Sequence, residues 1–184
     1  MKILGTIITN DLKWDRNSDE LVSKANKRMI LLKKLQSFGA TREEMVHLWI
    51  LYCRSILEQS ATLWGSSITQ ENKDDLERIQ KSFAKMILKN EYTDYETALL
   101  KLNLQSLEQR RKELCSNLAT NSIKNNTLND LFPENAKSHG MKTRKPEKYH
   151  VTFANTERLR TSTIIFMQNL LNEEQKLENQ KMVL

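Results

Sequence analysis

The chain has 184 residues, of which 39% are hydrophobic, and a formal net charge of +6 at pH 7. This length allows one domain, or one domain with a small appendage, and the basic excess favours polyanionic partners such as nucleic acid. Two cysteines far apart in sequence exclude a disulfide framework, and no apolar run approaches the ~18–20 residues of a membrane span, so we expect an intracellular protein without a membrane partner, in the nucleus or the cytoplasm.

Glycine and proline are scarce, at four and two residues, whereas good helix formers are abundant. This composition predicts a mainly α fold, because glycine and proline are the residues that most destabilise helices. We expect a bundle of about five helices with a short N-terminal β-hairpin and a basic C-terminal tail. The predicted divisions are a hairpin over 1–16, a helical bundle over 17–126 and a basic tail with a terminal helix over 127–184.

The N-terminal residues have the β-branched composition of a strand. We predict a first strand over residues 2–9, a turn at Asn10 and Asp11, and a second strand over residues 12–14. A hairpin of this size is marginal in water by itself, so it is expected to pack against other protein surface.

The first helix is predicted over residues 18–38 and ends before Gly39. Apolar residues at helical spacing form its packing face. Four basic residues fall on the adjoining arc when the helix is wound at about 100° per residue, and they are Lys24, Lys27, Arg28 and Lys34. One side can therefore pack while a neighbouring side presents positive charge.

The remaining helices are predicted from capping patterns and apolar periodicity. The second has the highest apolar content, contains Trp49 and is expected to be the most buried. In chain order the predicted helices cover residues 41–62, 70–89, 93–102, 106–124 and 161–177, and the capping patterns begin at Thr41, Thr93 and Ser106.

The segment between residues 137 and 160 contains seven basic residues against two glutamates. Such a balance predicts an extended segment that a polyanion could order. Its candidate phosphate-binding residues are Lys142, Arg144, Lys145 and Lys148.

A series of short motifs follows the chain in a fixed order. After Lys2-Ile3-Leu4-Gly5 and Leu12-Lys13-Trp14 come Ile56-Leu57-Glu58, Leu63-Trp64-Gly65, Leu76-Glu77-Arg78-Ile79-Gln80 and Ser106-Leu107-Glu108-Gln109-Arg110-Arg111. In order and spacing, this series resembles the segment that follows the catalytic palm in reverse transcriptases of non-LTR retrotransposons. The resemblance covers residues 2–172.

The resemblance implies the thumb and C-terminal region of an RNA-directed DNA polymerase. Such a region would bind RNA or an RNA–DNA duplex through backbone contacts, and it needs no cofactor. The residues expected to make these contacts are Lys24, Lys27, Arg28, Lys34, Lys142, Arg144, Lys145 and Lys148.

The motif on which polymerase activity depends has no match in this chain. Reverse transcription requires paired carboxylates at a strand turn to hold two magnesium ions. The one Asp-Asp pair, Asp74-Asp75, lies near the start of a predicted helix, where carboxylates suit the helix dipole. We therefore expect no catalytic residue, no metal site and no polymerisation by this chain alone. A second departure is Gln59, where the family usually has an aromatic residue.

Several polar and aromatic residues have two possible roles. Arg110 and Arg111 could hold phosphate, but nearby Glu108 and Glu113 make an intramolecular ion pair the preferred interpretation. Of the three tryptophans, Trp14 at a turn is the one expected to be available for stacking on bases.

Two other functions remain open on the sequence. One is a helical protein–protein interaction module with no role in nucleic-acid binding. In the other, the chain completes a polymerase in trans, which requires a separate palm domain as its partner. Duplex binding through phosphates is distinguished from an interaction module by its steep dependence on salt.

Overall fold

The computed structural model describes residues 1–135 and 147–181, with the side chains at 178, 179 and 181 excepted. It confirms a mainly helical chain with a short antiparallel hairpin at the N-terminus. The strands are β1 (Lys2–Ile3) and β2 (Thr6–Ile7). The helices are α1 (Asp15–Ser37), α2 (Arg42–Leu48), α3 (Ser55–Leu57), α4 (Ala61–Trp64), α5 (Gln70–Leu88), α6 (Tyr95–Leu102), α7 (Leu107–Lys124), α8 (Glu157–Arg160) and α9 (Thr163–Lys181).

The chain forms two compact units. The first unit comprises Met1–Ala61 and Ile68–Arg111, and the second comprises Thr62–Ser67 and Lys112–Leu184. The chain therefore passes between the units three times: within α4, between Ser67 and Ile68, and within α7.

The hairpin is shorter than the sequence predicts, because the predicted first strand itself contains the turn. Leu4 and Gly5 both adopt positive φ, which is the geometry of a tight two-residue hairpin turn. β1 pairs with β2 across this turn, and residues 12–14 form no strand. The predicted turn at Asn10 and Asp11 leads into α1 instead.

The hairpin is held by residues of the same unit. The Gln59 side-chain amide donates to the Leu4 carbonyl at 2.9 Å, and the Thr6 hydroxyl donates to Ser60 Oγ at 2.9 Å. The Ile7 amide donates to Asn17 Oδ1 at 3.0 Å. Gln59 therefore binds the hairpin turn with its amide at the position where the resemblance expects an aromatic ring.

The core of the first unit is formed by α1, α5 and the helical segment between residues 42 and 57. α1 packs against α5 and against this segment. The buried side chains of α1 recur at helical spacing as predicted, and they are Leu21, Ala25, Met29 and Leu32. From α5, Phe83 is fully buried and its ring stacks on Trp49 with centroids 4.6 Å apart.

The predicted second helix is not continuous. It begins with α2, widens into a π-helical segment over Trp49–Arg54, returns to α-helix in α3, and breaks where Ser60 adopts positive φ. Its buried residues recur every four positions, at Met45, Trp49, Cys53, Leu57 and Ala61. In a regular α-helix this spacing drifts by about 40° at each step. The wider π turn offsets that drift, so the side chains stay directed at the core.

α2 and α7 begin after the predicted capping residues Thr41 and Ser106, whereas α6 is capped by Asp94 and not by the predicted Thr93. Thr41 and Glu44 form a reciprocal capping box at the start of α2. Thr69 and Asp94 accept from the backbone amides three residues ahead, at the starts of α5 and α6. The Ser106 hydroxyl accepts from the Gln109 amide at 3.1 Å at the start of α7. These bonds satisfy amides that have no partner within the helix.

The second unit has a small apolar core and a set of amide contacts from α9. Buried core residues are contributed by α7, by residues 132 and 149, and by α9. Asn172 on α9 accepts from the Tyr149 amide at 3.0 Å and donates to the Tyr149 carbonyl at 3.0 Å. One turn earlier, Gln168 accepts from the Thr152 amide at 3.0 Å and donates to the Leu131 carbonyl at 2.8 Å. These side-chain amides hold an irregular stretch of backbone against α9.

Candidate nucleic-acid interface

The four basic residues predicted on the first helix lie on α1, but they have different surroundings. Lys27 and Lys34 are exposed, whereas Lys24 and Arg28 are half-buried. Lys27 and Lys34 lie on the side of α1 opposite its packed face, whereas Lys24 and Arg28 lie at the margin of that face. The predicted row therefore divides into two residues with internal partners and two that face solvent.

Lys24 is paired within the protein. Its ammonium lies 2.6 Å from Glu20 Oε1, and Lys2 contacts the same carboxylate oxygen at 2.6 Å. Hydrogen bonds from Lys2 and then from Lys24 lower the pKa of Glu20 to about 2. Glu20 is therefore ionised at neutral pH and attracts two of the nearby cations.

Arg28 is also engaged. Its guanidinium carbon lies 4.3 Å from the centroid of the Tyr52 ring, which is within the range of a cation–π contact. Tyr52 belongs to the π-helical segment, whose widened turn also places Cys53 in the core. Burial raises the pKa of the Cys53 thiol to about 11, and the positive charge of Arg28 opposes this shift.

Lys27 and Lys34 have no ion pair among the residues that the structure describes. Between residues 21 and 37, α1 carries five basic residues and no acidic one. This is a long run of one charge sign on an exposed helix face, and its field extends into solvent. Lys27 and Lys34 are thus exposed cations that no carboxylate of the described residues pairs with.

Among the tail candidates, the structure describes one. Lys148 lies 5.0 Å from the Tyr149 ring centroid and 3.4 Å from Glu134 Oε1. Tyr149, and after it Glu134, raise the pKa of Lys148 above its usual value. Lys148 therefore already contacts Tyr149 and Glu134 within the chain. Lys142, Arg144 and Lys145 lie outside the described residues.

The prediction that Arg110 forms an intramolecular ion pair is confirmed, and Glu58 is a partner that the sequence does not indicate. Arg110 Nε lies 2.9 Å from Glu58 Oε1, and Arg54 approaches the same carboxylate at 3.5 Å. Arg111 is buried, with 4% of its side chain exposed, so it presents no surface to a ligand.

Two other expectations concern Trp14 and the Asp-Asp pair. The expectation for Trp14 is wrong, because 9% of the residue is exposed and it belongs to the core beneath the start of α1. Asp74 and Asp75 lie within the first two turns of α5, as predicted. Asp74 accepts from the Gln70 side chain at 2.9 Å, and Asp75 pairs with Arg78 at 2.7 Å.

A second cationic surface, which the sequence-based predictions do not include, lies on α5. Arg78, Lys81 and Lys85 are exposed and lie within an arc of about 60° on α5, and Lys89 follows the last helical residue. We refer to these four residues as the α5 cationic row. Their spacing of three, four and four residues is visible in the sequence, beside the apolar period of the same helix.

In the part of the chain covered by residues 1–135 and 147–181, no group of three or more His, Cys, Asp or Glu residues is arranged to hold a metal ion. No helix among these residues combines the length and apolar character needed to cross a bilayer. Comparisons of the chain with protein-family models, with curated proteins and with solved structures found no match.

Proposed function

We propose that the chain binds the phosphate backbone of RNA or an RNA–DNA duplex, as the thumb and C-terminal region of a non-LTR retrotransposon reverse transcriptase would. The observation that carries the proposal is the acid-free run from residue 21 to residue 37, with Lys27 and Lys34 exposed and unpaired within the described residues. The ordered motif series supports the same function.

The expected mode of binding is electrostatic and independent of base sequence. Lysines that neutralise phosphates release condensed counterions, so affinity falls as salt rises. Lys27 and Lys34 would make direct contacts, because neither must first break an internal ion pair. Lys24 and Arg28 would contribute mainly through their charge, because Lys24 already pairs with Glu20 and Arg28 is half-buried. In a complete polymerase, these contacts would position the duplex for a separate palm domain.

The proposal can be tested with the double variant Lys27→Gln/Lys34→Gln and a labelled RNA–DNA hybrid. Fluorescence anisotropy between about 50 and 200 mM salt gives the slope of log affinity against log salt concentration. Loss of two phosphate contacts should reduce the magnitude of that slope by about 1.8, at about 0.9 for each contact.

A matched control removes the same charge elsewhere. Lys33 lies on α1 about 100° round the axis from Lys34, and Lys13 precedes the helix. The double variant Lys13→Gln/Lys33→Gln should retain most of the native slope. If the native chain fails to bind the hybrid at the lowest salt, or if both double variants lower the slope equally, the proposed interface is wrong.

One observation favours a second candidate, a protein-interaction module. Exposed apolar side chains share α1 and its C-terminal end with the lysines; Ile30 is 58% exposed and Phe38 is 85% exposed. Exposed apolar groups of this kind are typical of protein-binding surfaces when they are contiguous. Binding to a protein partner through Ile30 and Phe38 would weaken in Ile30→Ser/Phe38→Ser and would depend little on salt. The same variant should leave hybrid binding intact.

A further inference from the structure

The α5 cationic row differs from the α1 surface in how its charges are supported. Lys81 Nζ lies 5.1 Å from the centroid of the Tyr95 ring, and Lys85 Nζ lies 5.4 Å from that of Tyr92. Both distances fall within the range of cation–π contacts. Each ammonium is therefore held above an aromatic ring while its remaining N–H groups stay in solvent, which lowers the entropic cost of ordering it against a ligand.

Few carboxylates compete for these cations. Lys81, Lys85 and Lys89 have no ion pair among the described residues, whereas Arg78 pairs with Asp75 at 2.7 Å. Glu77 lies beside the row, but its carboxylate accepts from the Tyr95 hydroxyl and from the Leu107 amide, at 3.1 Å for the latter.

The Tyr95 ring is fixed by this network. Its hydroxyl donates to Glu77 and accepts from the Gln80 side-chain amide at 2.9 Å. Burial, followed by the hydrogen bond to Glu77, raises the pKa of Tyr95 well above its ordinary value, so the hydroxyl stays protonated at neutral pH. The ring that Lys81 contacts is therefore neutral and fixed in position.

The geometry of the row matches one polynucleotide strand. Lys81 and Lys85 are separated by four residues, or about 6 Å along the helix axis. This is of the order of the distance between successive phosphates of a single strand. A positively charged row of this spacing can follow the backbone of a single strand.

From these observations we infer that the α5 cationic row binds the phosphate backbone of a single-stranded nucleic acid, as a site separate from the α1 surface. The inference rests on the proposed function in that both surfaces serve polynucleotides. In a thumb-like region, the row would take unpaired template or displaced strand while α1 contacts the duplex.

The test compares two double variants on two ligands. Lys81→Gln/Lys85→Gln removes the two ring-supported charges, and Lys27→Gln/Lys34→Gln removes the α1 pair. Each is titrated against a labelled oligouridylate and against the RNA–DNA hybrid across the same salt range. For the single strand, the α5 variant should reduce the slope by about 1.4, at about 0.7 for each contact, and its slope on the hybrid should change little.

A control for the α5 variant uses the same helix. Lys73 lies on α5 outside the arc of the row, and Lys73→Gln combined with Lys33→Gln removes the same total charge. This control should keep the native slope on the single strand. Circular dichroism of every variant should match the native spectrum, because all four lysines in the two test variants have side chains at the surface.

The outcomes separate the inference from the proposed function. If only the α1 variant weakens binding, on both ligands, the α5 site is wrong and the proposed function stands. If only the α5 variant weakens binding, and only to the single strand, the α5 site stands and the α1 interface is wrong. Equal loss on hybrid and single strand in the α5 variant would overturn the assignment to a single strand. A native chain that binds neither ligand would overturn both proposals.

Discussion

The contact between Asn172 and Tyr149 gives the sharpest test of how the second unit is held together. Asn172 is 2% exposed, and its side chain satisfies both the amide and the carbonyl of Tyr149. Asn172→Leu keeps a side chain of similar size and removes both hydrogen bonds. We expect the free energy of unfolding to fall by about 2–6 kcal/mol, because each of two buried backbone groups loses a partner at about 1–3 kcal/mol.

A charged replacement at the same position adds a dependence on pH. In Asn172→Asp, an ionised carboxylate still accepts from the Tyr149 amide, but its second oxygen faces the Tyr149 carbonyl. It also lies near Glu147, whose Oε2 is 3.5 Å from Asn172 Nδ2. Only the protonated carboxyl can donate there, so its pKa in the folded state should lie above the value of about 3.9 for an unfolded chain. The variant should be most stable below that pH and lose stability as pH rises through the higher folded-state pKa.

The assay combines urea unfolding with amide hydrogen exchange. Unfolding is followed by circular dichroism at about pH 4 and about pH 7, on either side of the expected titration. NMR exchange of the Tyr149 amide reports the local hydrogen bond directly. Asn169→Leu is the matched control, because Asn169 is exposed on the same helix.

The reasoning fails under two results. In one, the Tyr149 amide is protected equally in the native chain and in Asn172→Leu. In the other, the difference in unfolding free energy between Asn172→Asp and the native chain is the same at neutral pH as at acid pH.

Three further predictions concern the first unit. Phe83→Ala should lower the free energy of unfolding by about 3–5 kcal/mol, because a buried ring and its stack on Trp49 are lost; urea unfolding followed by tryptophan fluorescence measures this, and a cost below about 1 kcal/mol would contradict it. Gly5→Ala should cost about 1–2 kcal/mol in the same assay, since the residue has a φ of +86° and an added Cβ would lie 2.3 Å from Gln59 Nε2; an unchanged unfolding midpoint would argue against this turn. Glu20→Gln should strengthen hybrid binding and steepen its salt dependence by releasing two lysines, whereas an unchanged slope would show that those lysines do not reach the phosphates.

Helix positions follow from the sequence where local chemistry decides them. The start of α2 follows from the Thr41 capping box, and the start of α6 is predicted to within one residue, at Thr93 where the structure has Asp94. The buried face of α1 is evident in its apolar period. Helical periodicity and capping are properties of neighbouring residues, so no tertiary information is needed to predict them.

The errors arise where contacts between distant residues decide the structure. The turn at Leu4 and Gly5 is stabilised by Gln59, more than fifty residues away, and no local sequence pattern predicts that hydrogen bond. Trp14 was expected at an exposed turn because the start of α1 was placed three residues too late, at Ser18 and not at Asp15. The contact of Arg28 with Tyr52 is likewise between distant residues, whereas the Lys24–Glu20 pair is an i, i+4 contact that the sequence could have indicated.

The π-helical segment determines how the surrounding helices would respond to the loss of a residue. A π turn is equivalent to one residue inserted into an α-helix, so Trp49–Arg54 fixes the rotational phase between α2 and α3. Deleting a single residue there would restore ordinary helical winding and shorten one of the four-residue intervals between buried side chains to three, which is the usual alternation on one face of an α-helix. A deletion within α2 would instead rotate the residues before it by about 100° relative to those after it, so the π-helical segment should tolerate the loss of one residue better than its neighbours.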